Sequence, residues 1–132
     1  MTDLASTKLE FPFPTPPAPG ESLLVAPGIH WLRMPLPFAL DHINLWLVEE
    51  DDGFTLVDCG YGNKTTRTVW EQLFGTLLRE RPLRRIVVTH CHPDHVGNAF
   101  WLSERFAAPV AMTHAEFLTA HAFAGQHSAY AL

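Results

Sequence analysis

Between Ile43 and Val48 every position but Asn44 is apolar: Ile43, Leu45 and Leu47 fall on one side of an extended chain, and Trp46 and Val48, with Asn44, on the other. Alternation with both phases largely apolar predicts a strand covered on two sides. Asp51-Asp52-Gly53 then supplies a tight turn into Phe54 to Val57, so the two runs read as a hairpin, and a shorter strand is expected at Ile29 to Arg33. After Asp58-Cys59-Gly60 the period lengthens. Val69, Trp70, Leu73, Phe74, Leu77 and Leu78 form a helical stripe that predicts a helix from about Asn63 to Arg79, closed by Pro82. The β-branched run Ile86-Val87-Val88 marks a further strand, Arg85 to Thr89. A second helix is expected from about Gly97 to Ala107, a short strand at Val110 to Met112, and a third helix to about Phe123, opened by the capping-box spacing Thr113-His-Ala-Glu116. Strands and helices in this order predict an α/β architecture, a mixed sheet with packed helices, whose sites form at the carboxyl ends of strands.

The segment before this pattern differs. Residues 11–20, FPFPTPPAPG, contain five prolines and exclude a regular helix or central strand, so residues 1–27 read as a proline-rich arm and 28–132 as one domain. With a net charge of −5, the chain as a whole has no attraction for nucleic acid or an anionic membrane. Its one basic group, Arg79, Arg81, Arg84 and Arg85, reads as a solvated helix end and strand entry. Met1 to Glu10 lacks a basic segment followed by an apolar stretch, and no run approaches the ~20 apolar residues that span a bilayer. Cys59 and Cys91 make neither a CxxC pair nor a disulfide framework. A soluble cytoplasmic protein acting on a small molecule is expected.

Eight histidines are the compositional anomaly, and three fall in the run His90-Cys91-His92-Pro93-Asp94-His95, one residue past the expected strand. In an extended segment side chains two apart point the same way, so His90 and His92 can offer imidazole nitrogen to one ion. Pro93 bends the chain, and Asp94 and His95 can serve a second ion nearby. Zinc accepts this donor set, and iron or manganese would too. Such a pattern arises by chance roughly once in a thousand shuffled chains, and burying these groups together without a metal is costly.

The run Thr89-His90-Cys91-His92-Pro93-Asp94-His95-Val96-Gly97-Asn98 resembles the T-H-x-H-x-D-H-x-G signature of the metallo-β-lactamase superfamily, and Thr55-Leu56-Val57-Asp58-Cys59-Gly60 resembles its strand ending in aspartate. The resemblance extends from about Gly28 to Phe123. It implies half of an αββα sandwich, with two zinc ions in an intact site: His90 and His92 on the first metal, Asp94 and His95 on the second, and Asp58 behind them orienting the ligands. It also implies a metal-dependent hydrolase of the glyoxalase II or lactonase kind, in which a hydroxide held by the two ions attacks an ester, thioester, lactone, amide or phosphodiester. Asp94 would then act in catalysis by holding the nucleophile in line. Cys91 fills the variable position and is not expected to ligate.

The superfamily also uses a third histidine, a carboxylate bridging both metals and a last histidine, all from later in the domain. Here 37 residues follow His95 and Asp94 is the last aspartate. His114 and His121 read as surface or packing residues, while His127 is a candidate substitute ligand and His42, with His30 behind it, a candidate at the mouth of the site. Three readings stay open: the amino-terminal part of a longer metallohydrolase, a site completed across a homodimer or by another chain, and a non-catalytic metal-binding or interaction module. Whether this chain alone is an enzyme is left undecided by them. A half-sandwich leaves an apolar face uncovered, so self-association is expected.

Overall fold

The computed structural model describes residues 9–124. Six strands form one sheet in sequential order: β1 (Ser22–Ala26), β2 (Ile29–Pro35), β3 (His42–Glu50), β4 (Gly53–Val57), β5 (Leu83–Val87) and β6 (Val110–Ala111). The first four pair antiparallel through short connections, and β4–β5–β6 run parallel. Parallel neighbours need long crossovers. Helix α1 (Lys64–Gly75) makes the first of these, and α2 (Pro93–Val96) with α3 (Ala99–Phe106) makes the second. A last helix, α4 (His114–Ala124), follows β6. The sheet is therefore mixed, as the element order predicts.

Two crossovers advancing in the same direction with the usual hand lay α1 and α3 on the same side of the sheet. Phe74 of α1 meets Trp101 and Phe106 of α3 at ring-centroid distances of 5.5 and 5.1 Å. Beneath them Leu32, Met34, Leu45, Leu47, Leu56 and Ile86 are fully buried, with Trp70 and Leu102 closing the core from the helices. Trp70 Nε1 donates to Cys59 O at 3.0 Å, so the helix also fixes the loop that leaves β4.

The opposite face departs from expectation. Trp31, Trp46, Val57, Val87 and Ala111 stand directly opposite one another across five strands and make one apolar row. Trp46 and Val48 remain 37% exposed, so among the described residues β3 is covered on one side, not two. Periodicity reported the character of both faces correctly. What lies against a face is a long-range fact.

Four local differences have identifiable causes. Ser22–Ala26, inside the stretch read as an arm, pairs with β2 as an edge strand; it lies between Pro19 and Pro27 and contains no proline, so its backbone donors are intact. Helix α1 stops at Gly75, not Arg79, because the Leu78 amide folds back onto Leu73 O at 2.9 Å and Leu78 is thereby buried. Strand β5 spans Leu83–Val87, not Arg85–Thr89, since the Thr89 amide turns to the Asp58 side chain. The helix expected from about Gly97 to Ala107 is α3, Ala99–Phe106, and an unforeseen single turn, α2, precedes it from Pro93, whose fixed φ and missing N–H suit a first helical position. Gly97 lies between them because a Cβ there would stand 2.3 Å from Pro93 O and 2.5 Å from Gly62 N.

Candidate metal centre

Strands β4 and β5 end side by side, and the residues that follow, Asp58 and Thr89-His90, meet at the carboxyl edge of the sheet, where open α/β sheets place their sites. Asp58 sits at φ 62°, a left-handed conformation unusual outside glycine, and such strain persists only where the surroundings impose it. Here the surroundings are hydrogen bonds. The Thr89 amide donates to Asp58 Oδ1 at 2.8 Å, Thr89 Oγ1 lies 2.9 Å from Oδ2, and His95 Nδ1 lies 2.9 Å from Oδ2.

These contacts fix the protons. A carboxylate only accepts, so the Thr89 hydroxyl donates to it and His95 donates from Nδ1. The Thr89 hydroxyl proton is thus committed, and His90 Nδ1, 2.9 Å from Thr89 Oγ1, must be the donor in that contact. Asp58 accordingly sets two tautomers, one directly and one through Thr89, and in the neutral rings leaves Nε2 of His90 and His95 without a proton, that of His90 accepting from His92 Nδ1. Orientation of ligand imidazoles by a partner on the second nitrogen is a general requirement of metal sites.

These nitrogens converge. The His90 ring lies 4.5 Å from that of His92 and 3.9 Å from that of His95, centroid to centroid. His90 Nε2 and His92 Nδ1 face each other at 3.0 Å. Two nitrogens on a tetrahedral zinc, each about 2.0–2.1 Å from the ion, sit roughly 3.3 Å apart, so the observed separation is close to the edge of such a site. The second pair, His95 Nε2 and Asp94 Oδ2, stands at 3.6 Å, both side chains largely but not wholly buried. Among the described residues no three His, Cys, Asp or Glu side chains are yet gathered around one point. Imidazole nitrogen and carboxylate oxygen are donors that a metal such as zinc accepts, and they stand here as two pairs and not as a closed cage.

The loop carrying these groups is tied to its neighbours by main-chain bonds. Cys59 N donates to His95 O at 2.8 Å, and Asn98, fully buried, directs Nδ2 at the carbonyls of Cys59, Gly60 and Tyr61. This fixes the β4 exit against the start of α3.

A profile of the metallo-beta-lactamase superfamily matches residues 39–131, a span that takes in the Asp58 strand and the whole histidine run. The chain belongs to the metallo-beta-lactamase superfamily. The probable metallo-hydrolase YqjP of Bacillus subtilis (strain 168) is 36% identical over 67 residues, covering 50% of this chain and 21% of that protein. Among solved structures of this superfamily's fold, a beta-lactamase domain protein from Burkholderia ambifaria superposes with a TM-score of 0.79 at 47% identity, over 86% of this chain and 36% of the other. A metallo-beta-lactamase family protein from Thermus thermophilus gives 0.69 at 30% identity, over 82% and 36%. This chain thus spans about a third of the length of those superfamily structures.

The other histidines are placed apart from the cluster. His42 lies at the same end of the sheet, its Nδ1 2.6 Å from Asp41 Oδ1. His30 lies at the far end, 2.8 Å from Glu49 and edge-on to Phe54, so it does not line the mouth. His114 is exposed, and His121 packs on Phe117 in its own helix, with Nδ1 2.9 Å from Phe117 O. His127 lies outside the described residues. Cys59 is buried, and burial beside Asp58 pushes its thiol up, away from reactivity. No helix among the described residues is long and apolar enough to cross a membrane.

Three residues matter here to which the sequence assigned no part in the site. Thr89 and Asn98 both stood in the histidine motif, and a polar residue fixed inside so apolar a chain was the available signal. Glu116 was assigned to a capping box. Only half of that box forms: Glu116 N donates to Thr113 Oγ1 at 3.4 Å, while the Glu116 carboxylate accepts from the Cys91 amide at 2.7 Å. That amide holds the Glu116 carboxyl below its ordinary range.

Proposed function

We propose that this chain supplies His90 and His92 to one zinc ion and Asp94 and His95 to a second, in a hydrolase of esters, thioesters, lactones, amides or phosphodiesters. The observation that supports this best is the hydrogen-bond network around Asp58, which engages Nδ1 of both His90 and His95 and leaves their Nε2 atoms as the ligating nitrogens. When bound, the ions would make water nucleophilic near neutral pH and draw charge from the substrate's carbonyl or phosphoryl oxygen. The chain's own residues do the rest. Asp58 keeps His90 and His95 in the ligating tautomer, directly and through Thr89. Asp94, whose side chain is one-quarter exposed, reaches solvent and substrate; it holds the attacking water in line and carries its proton toward the leaving group. In the assembled hydrolase, Asp94→Asn should lower kcat by roughly 100-fold or more with the fold kept, within the range general acid–base groups contribute. Unchanged turnover of a thioester, a lactone and a phosphodiester alike would reject the role.

Two pairs of donors do not complete two ions, so the reading requires further ligands, from additional chain or from a second copy. The open apolar row at Trp31, Trp46, Val57 and Val87 belongs to the same proposal: in the working protein it is buried against one of these. Sedimentation of the 132-residue chain should show association that rises with concentration. A strict monomer at every concentration would rule out the second copy. The unpaired cysteines Cys59 and Cys91 suit a reducing compartment such as the cytoplasm.

A further inference from the structure

We infer that Glu116, at the start of α4, is a positioning residue for the metal loop: by accepting the Cys91 N–H it holds the peptide between His90 and His92 so that both imidazoles face one ion. This rests on the ligand roles proposed above and adds a residue outside the histidine motif.

The backbone shows why the loop needs such a partner. Up to its end, β5 is held on both sides: the Ile86 and Val88 amides donate to Pro109 O and Ala111 O beside β6, at 3.0 and 2.9 Å. Beyond Ala111 the β6 side has no strand left to offer, because that strand is two residues long. Thr89 N turns to the Asp58 carboxylate on the β4 side, and Cys91 N turns the other way, to Glu116 Oε2 at 2.7 Å. Two carboxylates, one on each flank, therefore take over where the ladder of carbonyls stops, and they bracket His90. A charged acceptor makes a shorter, stronger bond than a carbonyl would.

Position matters here more than stability. The chain bends at His90 and Cys91, yet Nε2 of His90 and Nδ1 of His92 still meet at 3.0 Å, and the peptide in that bend is the one Glu116 grips. The residue is spaced for that purpose by its own helix: Thr113 Oγ1 accepts the Glu116 amide, which sets the first turn and aims the carboxylate back across the loop. Helix α4 has no buried residue of its own, so little else on that side fixes it.

The test is zinc affinity of the full chain by competition with a chromophoric chelator, in parallel with amide hydrogen exchange of Cys91 in the metal-free chain. Glu116→Ala is expected to weaken zinc binding roughly 10- to 100-fold, the range for partners that orient ligands, and to speed exchange at Cys91. Glu116→Gln keeps an oxygen acceptor and should restore slow exchange and most of the affinity. Zinc held equally well by wild type and Glu116→Ala, or a loss that Glu116→Gln fails to recover, would overturn the role. A wild-type chain that takes up no zinc would instead sink the ligand assignment itself, and the same titration makes that visible.

Discussion

Replacing His90 and His92 together by alanine is expected to leave the chain folded and to weaken zinc binding by at least about 100-fold, more than the loss of any residue that merely orients ligands. The two effects separate because the loop is not held by these rings. Its backbone is fixed through Thr89 N to Asp58, Cys91 N to Glu116 and His95 O to Cys59 N, none of which involves a side chain of the two variants. What the double variant removes is the pair of nitrogens facing each other at 3.0 Å. Asp94 and His95 would stay in place, so any residual uptake should be weak and confined to one equivalent. Circular dichroism and the melting temperature check the fold, and metal analysis after dialysis checks the site. Metal content equal to that of wild type would refute the assignment of these residues as ligands.

The largest effect on stability is expected from Trp70→Ala. Trp70 is fully buried, stacks on Phe74 at 6.2 Å, and donates to Cys59 O at 3.0 Å, so it joins the helical layer to the strand exit that carries Asp58. Truncation of a buried tryptophan costs about 3–5 kcal/mol. The Cys59 carbonyl keeps one partner, Asn98 Nδ2 at 3.2 Å, which spares the full penalty of an orphaned acceptor. Against a total stability of about 5–15 kcal/mol the loss is severe, and for a domain of this size it corresponds to a fall in melting temperature of roughly 10–20 °C. Thermal unfolding followed by far-UV circular dichroism measures it. A fall of only about 2 °C would mean that the core does not depend on the α1 contact as described. Because Trp70 touches the site only through Cys59 O, zinc affinity in whatever fraction remains folded should change far less than in the histidine variant.

Much of this architecture was legible from residue order alone, and the reasons are local. Strand β3 matches the span His42 to Glu50 read from its apolar centre, Ile43 to Val48, and the Asp51-Asp52 turn sets the hairpin register that pairs Glu50 with Gly53. Helix α1 follows its stripe and takes Asn63 as its cap, through a 2.8 Å bond to the Thr66 amide. The histidine run stood out because few other contexts put three imidazoles and a carboxylate within six positions. Facts that depend on a distant partner were not legible. Leu78 breaks the helical path to reach the core, Glu116 gives up its capping role for an amide 25 residues away, and the apolar row around Trp46 is uncovered although its composition reads as covered. For Leu78 and Glu116 a contact that the local pattern does not specify decided the outcome, and for Trp46 the face lacks a covering element among the described residues. The left-handed Asp58 belongs with these, since only the bonds from Thr89 and His95 show why that conformation is kept.

The most direct measurement is a zinc titration of the metal-stripped chain followed by long-range ¹H–¹⁵N NMR of the imidazole nitrogens. Before metal, His90 and His95 should carry their protons on Nδ1, and zinc should then move His90 Nε2, His92 Nδ1 and His95 Nε2 to coordinated shifts while His30, His42, His114 and His121 stay as they were. Protons found on Nε2 of His90 and His95, or zinc shifts appearing at the other histidines instead, would contradict the account.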